Sequence, residues 1–123
     1  MKKTILITRP KDQACEIVQH LENNGFEVFV EPIFSVEHFL VPEDVLQNFA
    51  DLDIPAIIVT SRNASTMAFK VIENLNIKKD IKIFAVGRKT AQDFLETGFN
   101  NVTCSPESSA QSLLEVILRD VKI

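Results

Sequence analysis

The sequence predicts an α/β fold with an open parallel sheet and helices on both faces. Three observations predict this fold class. Short apolar runs alternate with segments in which apolar residues recur at helical spacing. Four of these runs lead, through a small hydroxyl residue or a glycine, directly into a helical pattern. The chain has 123 residues, of which 46% are hydrophobic and 24% charged, and this suits one domain with an apolar core.

The first half of the chain contains two strands, two helices and one irregular segment. Its predicted elements are a strand over 4–8, a helix through Ala14, Ile17, Val18 and Leu21, a strand over 26–30, an extended segment over 31–40, and a short helix from Pro42 through Phe49. Gly25 suits the left-handed cap that ends the first helix. Pro42 starts the short helix, with acidic residues in its first turn. The segment over 31–40 is long for a connection in a compact α/β unit.

The second half alternates more regularly. Its predicted elements are strands over 56–60, 81–86 and 101–104 and helices over 63–75, 89–96 and 109–121. The inner face of the first of these helices is predicted to hold Ala64, Met67, Ala68, Val71, Ile72 and Leu75, and that of the last helix Leu113, Leu114, Ile117 and Leu118. The unbroken apolar run over 56–60 predicts a buried strand, and Gly98 ends the middle helix. Alternation of this kind implies parallel strands joined by right-handed crossovers.

Composition excludes several classes of partner. A net charge of −4 and a pI near 5.1 argue against nonspecific binding of nucleic acid, which requires a basic face. No apolar run approaches membrane-spanning length, and the stretch after Lys2 and Lys3 is too short for a signal peptide core, so we expect a cytoplasmic protein. Cys15 and Cys104 lack metal-ligand spacing, as do the two histidines. We therefore expect reduced cysteines and no metal.

Polar and basic residues, together with one glycine, lie where predicted strands pass into helices. They are Thr8, Arg9, Thr60, Ser61, Arg62, Asn63, Gly87, Arg88, Lys89, Thr90, Ser105, Ser108 and Ser109. Any one of these hydroxyls is explained by helix capping alone. Several caps on one edge of a sheet, with Arg and Lys beside them, favour a crevice that binds carboxylates or phosphates, because the first-turn N–H groups of a helix have no intrahelical partner.

The glycine-rich cofactor motifs of this fold class are missing. Only three glycines are present, and they form neither GxGxxG nor GxxxxGK[ST]. A phosphoacceptor receiver domain would need clustered acidic residues where this chain has Thr8 and Arg9. No pair of nucleophile and base is visible, so any chemistry would depend on positioning and hydrogen bonding.

Five short motifs, taken in order, resemble uroporphyrinogen-III synthase. They are Ile5-Leu6-Ile7-Thr8-Arg9-Pro10; Gly25-Phe26-Glu27-Val28 with Pro32 after it; Ile58-Val59-Thr60-Ser61-Arg62-Asn63-Ala64; Phe84-Ala85-Val86-Gly87-Arg88-Lys89-Thr90-Ala91; and Ser105-Pro106 before Ser109-Ala110-Gln111-Ser112-Leu113-Leu114. The resemblance implies a lyase of haem biosynthesis that needs no cofactor. That enzyme converts hydroxymethylbilane, which carries eight carboxylates, into uroporphyrinogen III, losing water, closing the macrocycle and inverting the last pyrrole ring.

The resemblance also implies a division into lobes. The family has two α/β lobes joined by a two-stranded linker, with substrate held between them. Residues 1–34 would belong to the first lobe, 31–40 would form the outgoing linker strand, and 41–123 would form most of the second lobe, within the single α/β unit that the pattern over 1–123 predicts. Family members are roughly twice this long, and the chain ends about where the return strand would begin. We therefore expect it to correspond to the N-terminal half and to be inactive alone.

Site residues carry over from the resemblance position by position. Thr60, Ser61 and Asn63 would face the cleft from the second lobe. Gly87, Lys89 and Thr90 follow the next strand, and Thr90 matches a threonine implicated in substrate handling. Arg9 follows the first strand in the opposite lobe. These seven residues form the predicted substrate-binding set, and Thr90 is the one candidate for a catalytic role in this chain. The sequence contains no tyrosine, although the family's best candidate for assisting departure of the hydroxyl is a tyrosine.

Two alternatives stay open at this stage. The chain is either part of the synthase or a noncatalytic anion-binding or assembly module that retains the fold. Its first unit either joins a five-stranded, flavodoxin-like monomer or is exchanged with a second copy through residues 31–40. The nearly glycine-free hinge favours a homodimer with an exchanged N-terminal unit.

Overall fold

The computed structural model describes residues 1–121 and confirms the α/β class, with parallel strands flanked by helices. The helices are α1 (Lys11–Asn23), α2 (Glu43–Ala50), α3 (Arg62–Asn74), α4 (Arg88–Glu96) and α5 (Ala110–Asp120). The strands are β1 (Thr4–Ile7), β2 (Glu27–Val30), β3 (Ala56–Val59), β4 (Lys82–Ala85) and β5 (Val102–Cys104). Wherever the sequence analysis gives both bounds of a helix or strand, they agree with these to within one residue, except over 31–40.

The strands are divided between two parallel sheets. β1 pairs with β2, and β3, β4 and β5 form a second sheet in that order. The chain correspondingly separates into two compact units, Met1–His38 and a second that begins at Phe39. The sequence pattern predicts one unit and one open sheet, whereas in the described residues no strand of the first unit pairs with one of the second. The intervening stretch of irregular backbone is too long for a tight βα connection.

The segment over 31–40 forms no strand in the described part of the chain. Its first residues continue along β1, because the Glu31 N–H donates to the Ile7 carbonyl at 2.9 Å and the Ile33 N–H to the Thr8 carbonyl at 3.3 Å. Pairing stops there. The assignment of this segment to a two-stranded linker, and of 1–34 and 41–123 to different lobes, stays a prediction; Lys122 and Ile123, at the expected start of the return strand, lie outside the described residues.

The first unit has one covered face and one open face. Ile7 on β1 is buried on the side that α1 covers with Ala14. Leu6 and Phe29, which are register partners, point to the other side and are 63% and 54% exposed. Their side chains lie on a two-stranded sheet that, by itself, is marginally stable in water.

The second unit has a core on each face of its sheet. Ile83 and Phe84 are consecutive on β4 and fully buried, so their side chains point to opposite faces. On one face Ile83 packs with Val59 of β3, Ile72 of α3, Phe94 of α4 and Phe99, which follows α4. On the other face Phe84 packs with Leu113 and Val116 of α5. Helices therefore cover both faces of this sheet, as predicted.

Two inner faces differ from the sequence expectation. In α3 the predicted Ala64 is exposed and Ser65 is buried, whereas the other predicted residues of the inner face are half-buried or buried. In α5 the predicted Leu114 and Leu118 are 49% and 70% exposed, whereas Val116 is 6% exposed. When a helix packs on one strand of a sheet, only a narrow strip of the helix is buried. Apolar spacing alone does not show which strip of the helix is buried.

Candidate functional site

The carboxyl ends of β3, β4 and β5 meet at one edge of the second sheet. Val59 pairs with Ala85, and Ala85 pairs with Cys104. The Val86 N–H donates to the Val59 carbonyl at 3.0 Å, and the Ser105 N–H donates to the Ala85 carbonyl at 3.2 Å. The strand-to-helix turns of this unit therefore lie side by side, which is the arrangement expected of a ligand crevice in an open parallel sheet.

Two of the three helices that start at this edge are capped by serine. The Ser61 Oγ accepts from the Asn63 N–H at 3.2 Å at the start of α3. The Ser109 Oγ accepts from the Ser112 N–H at 3.2 Å at the start of α5. Capping therefore accounts for both hydroxyls as acceptors, while each O–H hydrogen can still be donated to a ligand.

Helix α4 starts without a side-chain cap. Its N-cap is Gly87, which has φ of 85° and ψ of 145°, and the Ala91 N–H donates to its carbonyl at 3.2 Å. Gly87 has no side chain that could accept from the N–H groups of the first turn. These N–H groups form the positive end of the helix dipole, so this helix start can contribute to anion binding.

We expect Gly87→Ala to destabilise the protein by about 1–3 kcal/mol, because only glycine adopts this backbone region without strain. Space is not the reason, since an added Cβ would approach the Ser108 Oγ only to 3.8 Å. Gly87→Asn should be no better than alanine, because ψ of 145° lies outside the left-handed helical region that asparagine tolerates. Urea unfolding of the three proteins measures this, and a neutral alanine variant would contradict the backbone argument.

The other predicted residues of this edge differ in exposure. Thr60, Ser61 and Lys89 are exposed, and Asn63 is half-buried. Thr90 is only 4% exposed, so its side chain lies inside the first turn of α4 rather than on the crevice surface. Any contact with a ligand from the surface of this turn would therefore come mainly through backbone N–H groups and the exposed cation beside them.

An ion pair joins the start of α3 to the middle of α4. The Arg62 Nε donates to the Asp93 Oδ2 at 3.2 Å. Because the Arg62 side chain is 62% exposed, the pair adds little stability. Arg62 is one of the basic residues predicted at this edge, and Asp93 pairs with its guanidinium.

Arg9 is in the other compact unit. It follows β1 and is exposed, while the remaining six predicted residues are in the second unit. The structure thus brings together the predicted residues that follow β3 and β4. Arg9 is the one predicted residue of the first unit.

Among residues 1–121, two buried hydroxyls have no hydrogen-bond partner. Ser105 is 5% exposed and Ser65 is 3% exposed. The sequence analysis includes Ser105 among the turn residues but not in the binding set, and it misses Ser65. The signal for Ser65 was its helical spacing from Phe69 and Ile72, which places it on the inner face of α3.

A shallow groove of about 530 Å³ lies along α4 beside the free edge of β5. It is lined by Arg88, Ala91, Gln92, Leu95, Glu96 and Cys104. None of the seven predicted binding residues lines it, and the Gln92 amide already donates to Glu96 at 2.8 Å. The groove is therefore not the crevice that the strand ends form.

The last turn of α5 lies at the opposite edge of the sheet, where β4 begins. The Arg119 guanidinium donates to Asp120 at 2.8 Å, and this hydrogen bond lowers the pKa of the Asp120 carboxyl. The same carboxyl lies 3.9 Å from the Nζ of Lys82, the first residue of β4. Helix α5 therefore ends where β4 begins, and it starts at the carboxyl edge with the other turns.

Two other kinds of site are absent from residues 1–121. No group of three or more His, Cys, Asp or Glu side chains there could hold a metal ion. Among the helices described, none combines the length and the apolar character needed to cross a bilayer. What the edge offers chemically is a set of N–H and O–H donors with cations beside them, which can bind and orient carboxylates.

Comparison with known proteins gives a consistent match. The sequence profile described as uroporphyrinogen-III synthase HemD matches residues 15–122. A uroporphyrinogen-III synthase from Chlorobaculum parvum is 34% identical over 104 residues, which cover 78% of this chain and 39% of that protein. The solved uroporphyrinogen III synthase of Thermus thermophilus is 19% identical, with a TM-score of 0.49, over 94% of this chain and 48% of the other. The chain thus spans less than half the length of either relative.

Proposed function

The chain belongs to the uroporphyrinogen-III synthase family, and on that premise we propose that it forms part of an enzyme that converts hydroxymethylbilane into uroporphyrinogen III. The reaction loses water, closes the macrocycle and inverts the last pyrrole ring. The observation that supports this role in the structure is the uncapped start of α4 beside the turns that follow β3 and β5. A substrate with eight carboxylates needs such donors.

We propose that Thr60, Ser61, Asn63, Gly87, Lys89 and Thr90 bind and orient substrate carboxylates, and that Arg9 contributes from the first unit. The contacts are mostly backbone N–H groups, supported by the charge of Lys89. Contacts of this kind position a flexible linear substrate, and positioning can supply much of the catalytic effect when no side chain is activated. The buried Thr90 acts from within the first turn of α4.

The proposal also covers the cofactor, the other partners and the cellular location. The enzyme works without a cofactor in the cytoplasm, and its partners include neither nucleic acid nor a membrane. A homodimer that exchanges the unit Met1–His38 is the proposed assembly, supported by the exposed apolar face of Leu6 and Phe29. Light scattering at several concentrations tests this assembly, and a monomer mass throughout would exclude it.

A second candidate function is a noncatalytic anion-binding or assembly module. The observation that favours it is the carboxyl edge of the second sheet, whose N–H and O–H donors can bind an anion without any chemical step. Both functions share the anion-binding edge. Isomer analysis of the reaction product, described below, separates them.

We expect Lys89→Gln to raise the Kd for an octacarboxylate porphyrin, uroporphyrin III, by about 2–5-fold, because one exposed cation at a helix start contributes roughly 0.5–1 kcal/mol. Fluorescence titration of the 123-residue chain measures this at low salt. Lys70→Gln is the matched control, since Lys70 is an exposed lysine in the third turn of α3. If both variants bind equally, or if the parent chain does not bind uroporphyrin, the proposed edge is not the binding site.

A further inference from the structure

The charged residues at the two ends of α4 are placed against the dipole of the helix. Arg88 is its first residue and Glu96 its last, with no acidic side chain in the first turn and no basic side chain in the last. A cation beside the positive start of a helix and an anion beside its negative end both destabilise the helix. Within residues 1–121 Arg88 forms no ion pair, and the Glu96 carboxylate accepts only from Gln92 of its own helix, at 2.8 Å. The stability of the second unit alone therefore does not account for either charge.

Arg88, Gln92 and Glu96 form one row along α4. They are spaced four residues apart, so they lie on one side of the helix, and the row is about 12 Å long at roughly 1.5 Å per residue. All three are exposed and line the groove beside β5. The row has a cation at one end, a neutral amide at the centre and an anion at the other end. A second copy of the row, turned end to end, is therefore its electrostatic complement.

The surface next to this row combines a small buried residue with an exposed apolar one. Ala91 and Leu95 are also four residues apart and also line the groove. Ala91 is 6% exposed, whereas Leu95 is 52% exposed. Two such surfaces can interlock, because a side chain of one helix packs between the side chains of the other. The groove, of about 530 Å³, therefore suits a copy of itself in shape as well as in charge.

We propose that the groove along α4 binds the same groove of a second copy of the chain, across a twofold axis near Gln92. The two α4 helices then run antiparallel. Arg88 of each copy faces Glu96 of the other, and Leu95 of each copy packs over Ala91 of the other. The positive start of each helix also lies beside the negative end of its neighbour, so the charges that oppose the dipole of one helix are compensated by the other.

Two other occupants fit the groove less well. An extended peptide could add to the edge of β5 that no described strand covers, but β5 has only three residues, and a very short edge strand resists such pairing. A polyanionic ligand that filled the groove would meet the Glu96 carboxylate at one end. A partner that carries both charges in the reverse order complements the whole row, and a second copy is such a partner.

This contact is independent of the proposed function and of the exchanged dimer. It lies within the second unit, and none of the seven predicted binding residues lines the groove. Exchange of the unit Met1–His38 joins copies through the first unit instead. The two contacts can therefore be tested separately.

The test reverses one charge at a time in the 123-residue chain. Arg88→Glu leaves an anion at both ends of the row, and Glu96→Arg leaves a cation at both ends. Each change places a charge that the helix dipole favours, so both variants should fold. The variants are purified separately and mixed at low salt, where screening is weak. Units exchanged between copies are already paired within each preparation, so exchange does not contribute to capture of one preparation by another.

Tagged Arg88→Glu chain should capture untagged Glu96→Arg chain at least about tenfold better than it captures untagged Arg88→Glu chain. The mixed pair restores both interchain ion pairs, whereas the matched pair opposes like charges at both ends of the row.

Leu95→Ala tests the apolar part of the same contact. It should raise the Kd for self-association of the chain by about tenfold, because each copy loses a leucine from the contact. Sedimentation equilibrium measures this Kd, and circular dichroism checks that each variant is folded. Leu118→Ala is the matched control, since Leu118 is an exposed leucine of α5 that does not line the groove.

Equal capture of the two untagged variants, or capture of neither, overturns the proposal. So does a Kd that Leu95→Ala leaves unchanged, or a monomer mass of the parent chain at every concentration. No substrate is needed, so failure of the anion site would leave these results unaffected.

Discussion

Hydroxymethylbilane incubated with the purified 123-residue chain is expected to yield only the uninverted uroporphyrinogen isomer, because unassisted closure gives that isomer. The chain offers the proposed binding edge of its second unit, and it spans 39% of the Chlorobaculum parvum relative. Holding both ends of a flexible tetrapyrrole together is the main task of positioning, and one lobe alone would provide only part of the enclosing surface that the family resemblance implies. The expected loss of activity is therefore complete rather than partial.

Separation of the type I and type III isomers after oxidation measures the outcome. The complete Chlorobaculum parvum synthase is the positive control, and buffer alone gives the background. An excess of the type III isomer over background with the 123-residue chain would show that the other half is dispensable. The same excess, appearing only when the unmatched part of the relative is added, would favour the synthase over a noncatalytic module.

Phe94→Ala is expected to lower the free energy of unfolding of the second unit by about 3–5 kcal/mol. Phe94 is fully buried, and its ring centroid lies 4.6 Å from that of Phe69 and 5.3 Å from that of Phe99. Removing the ring leaves a cavity at the centre of the face that α3 and α4 cover. A domain of ordinary stability loses a large share of it through one such change.

Urea unfolding followed by circular dichroism measures this difference. Phe49→Ala is the matched control, because Phe49 is 45% exposed on α2, a helix without any buried residue. We expect the control to cost about 1 kcal/mol or less. Comparable losses in the two variants would mean that the aromatic cluster does not form the core.

Local signals in the sequence predict most of the fold. The apolar runs and the glycines that end helices place the regular elements, because strand periodicity and left-handed caps depend on neighbouring residues alone. The family that the motifs predict is confirmed by the match over residues 15–122. The division into two sheets was not predictable from these local signals, since they mark where strands lie and not which strands pair.

The candidate site could also be predicted only in part from the sequence. The sequence places hydroxyls and cations at the strand ends, and in the second unit β3, β4 and β5 do end side by side. It does not show that Thr90 is buried or that Arg62 is paired with Asp93, because both depend on how α3 and α4 pack. The roles of the individual binding residues stay predictions until binding is measured.

Every strand pair described above joins strands that are neighbours along the chain. Thr4 pairs with Glu27, Ala56 with Lys82 and Ile83 with Val102, so the residues that each ladder joins lie 23, 26 and 19 positions apart along the chain. Short loops cost little chain entropy to close, and contacts of low sequence separation form quickly. Each βαβ pair can therefore assemble as soon as its second strand has left the ribosome, before the rest of the polypeptide is synthesised.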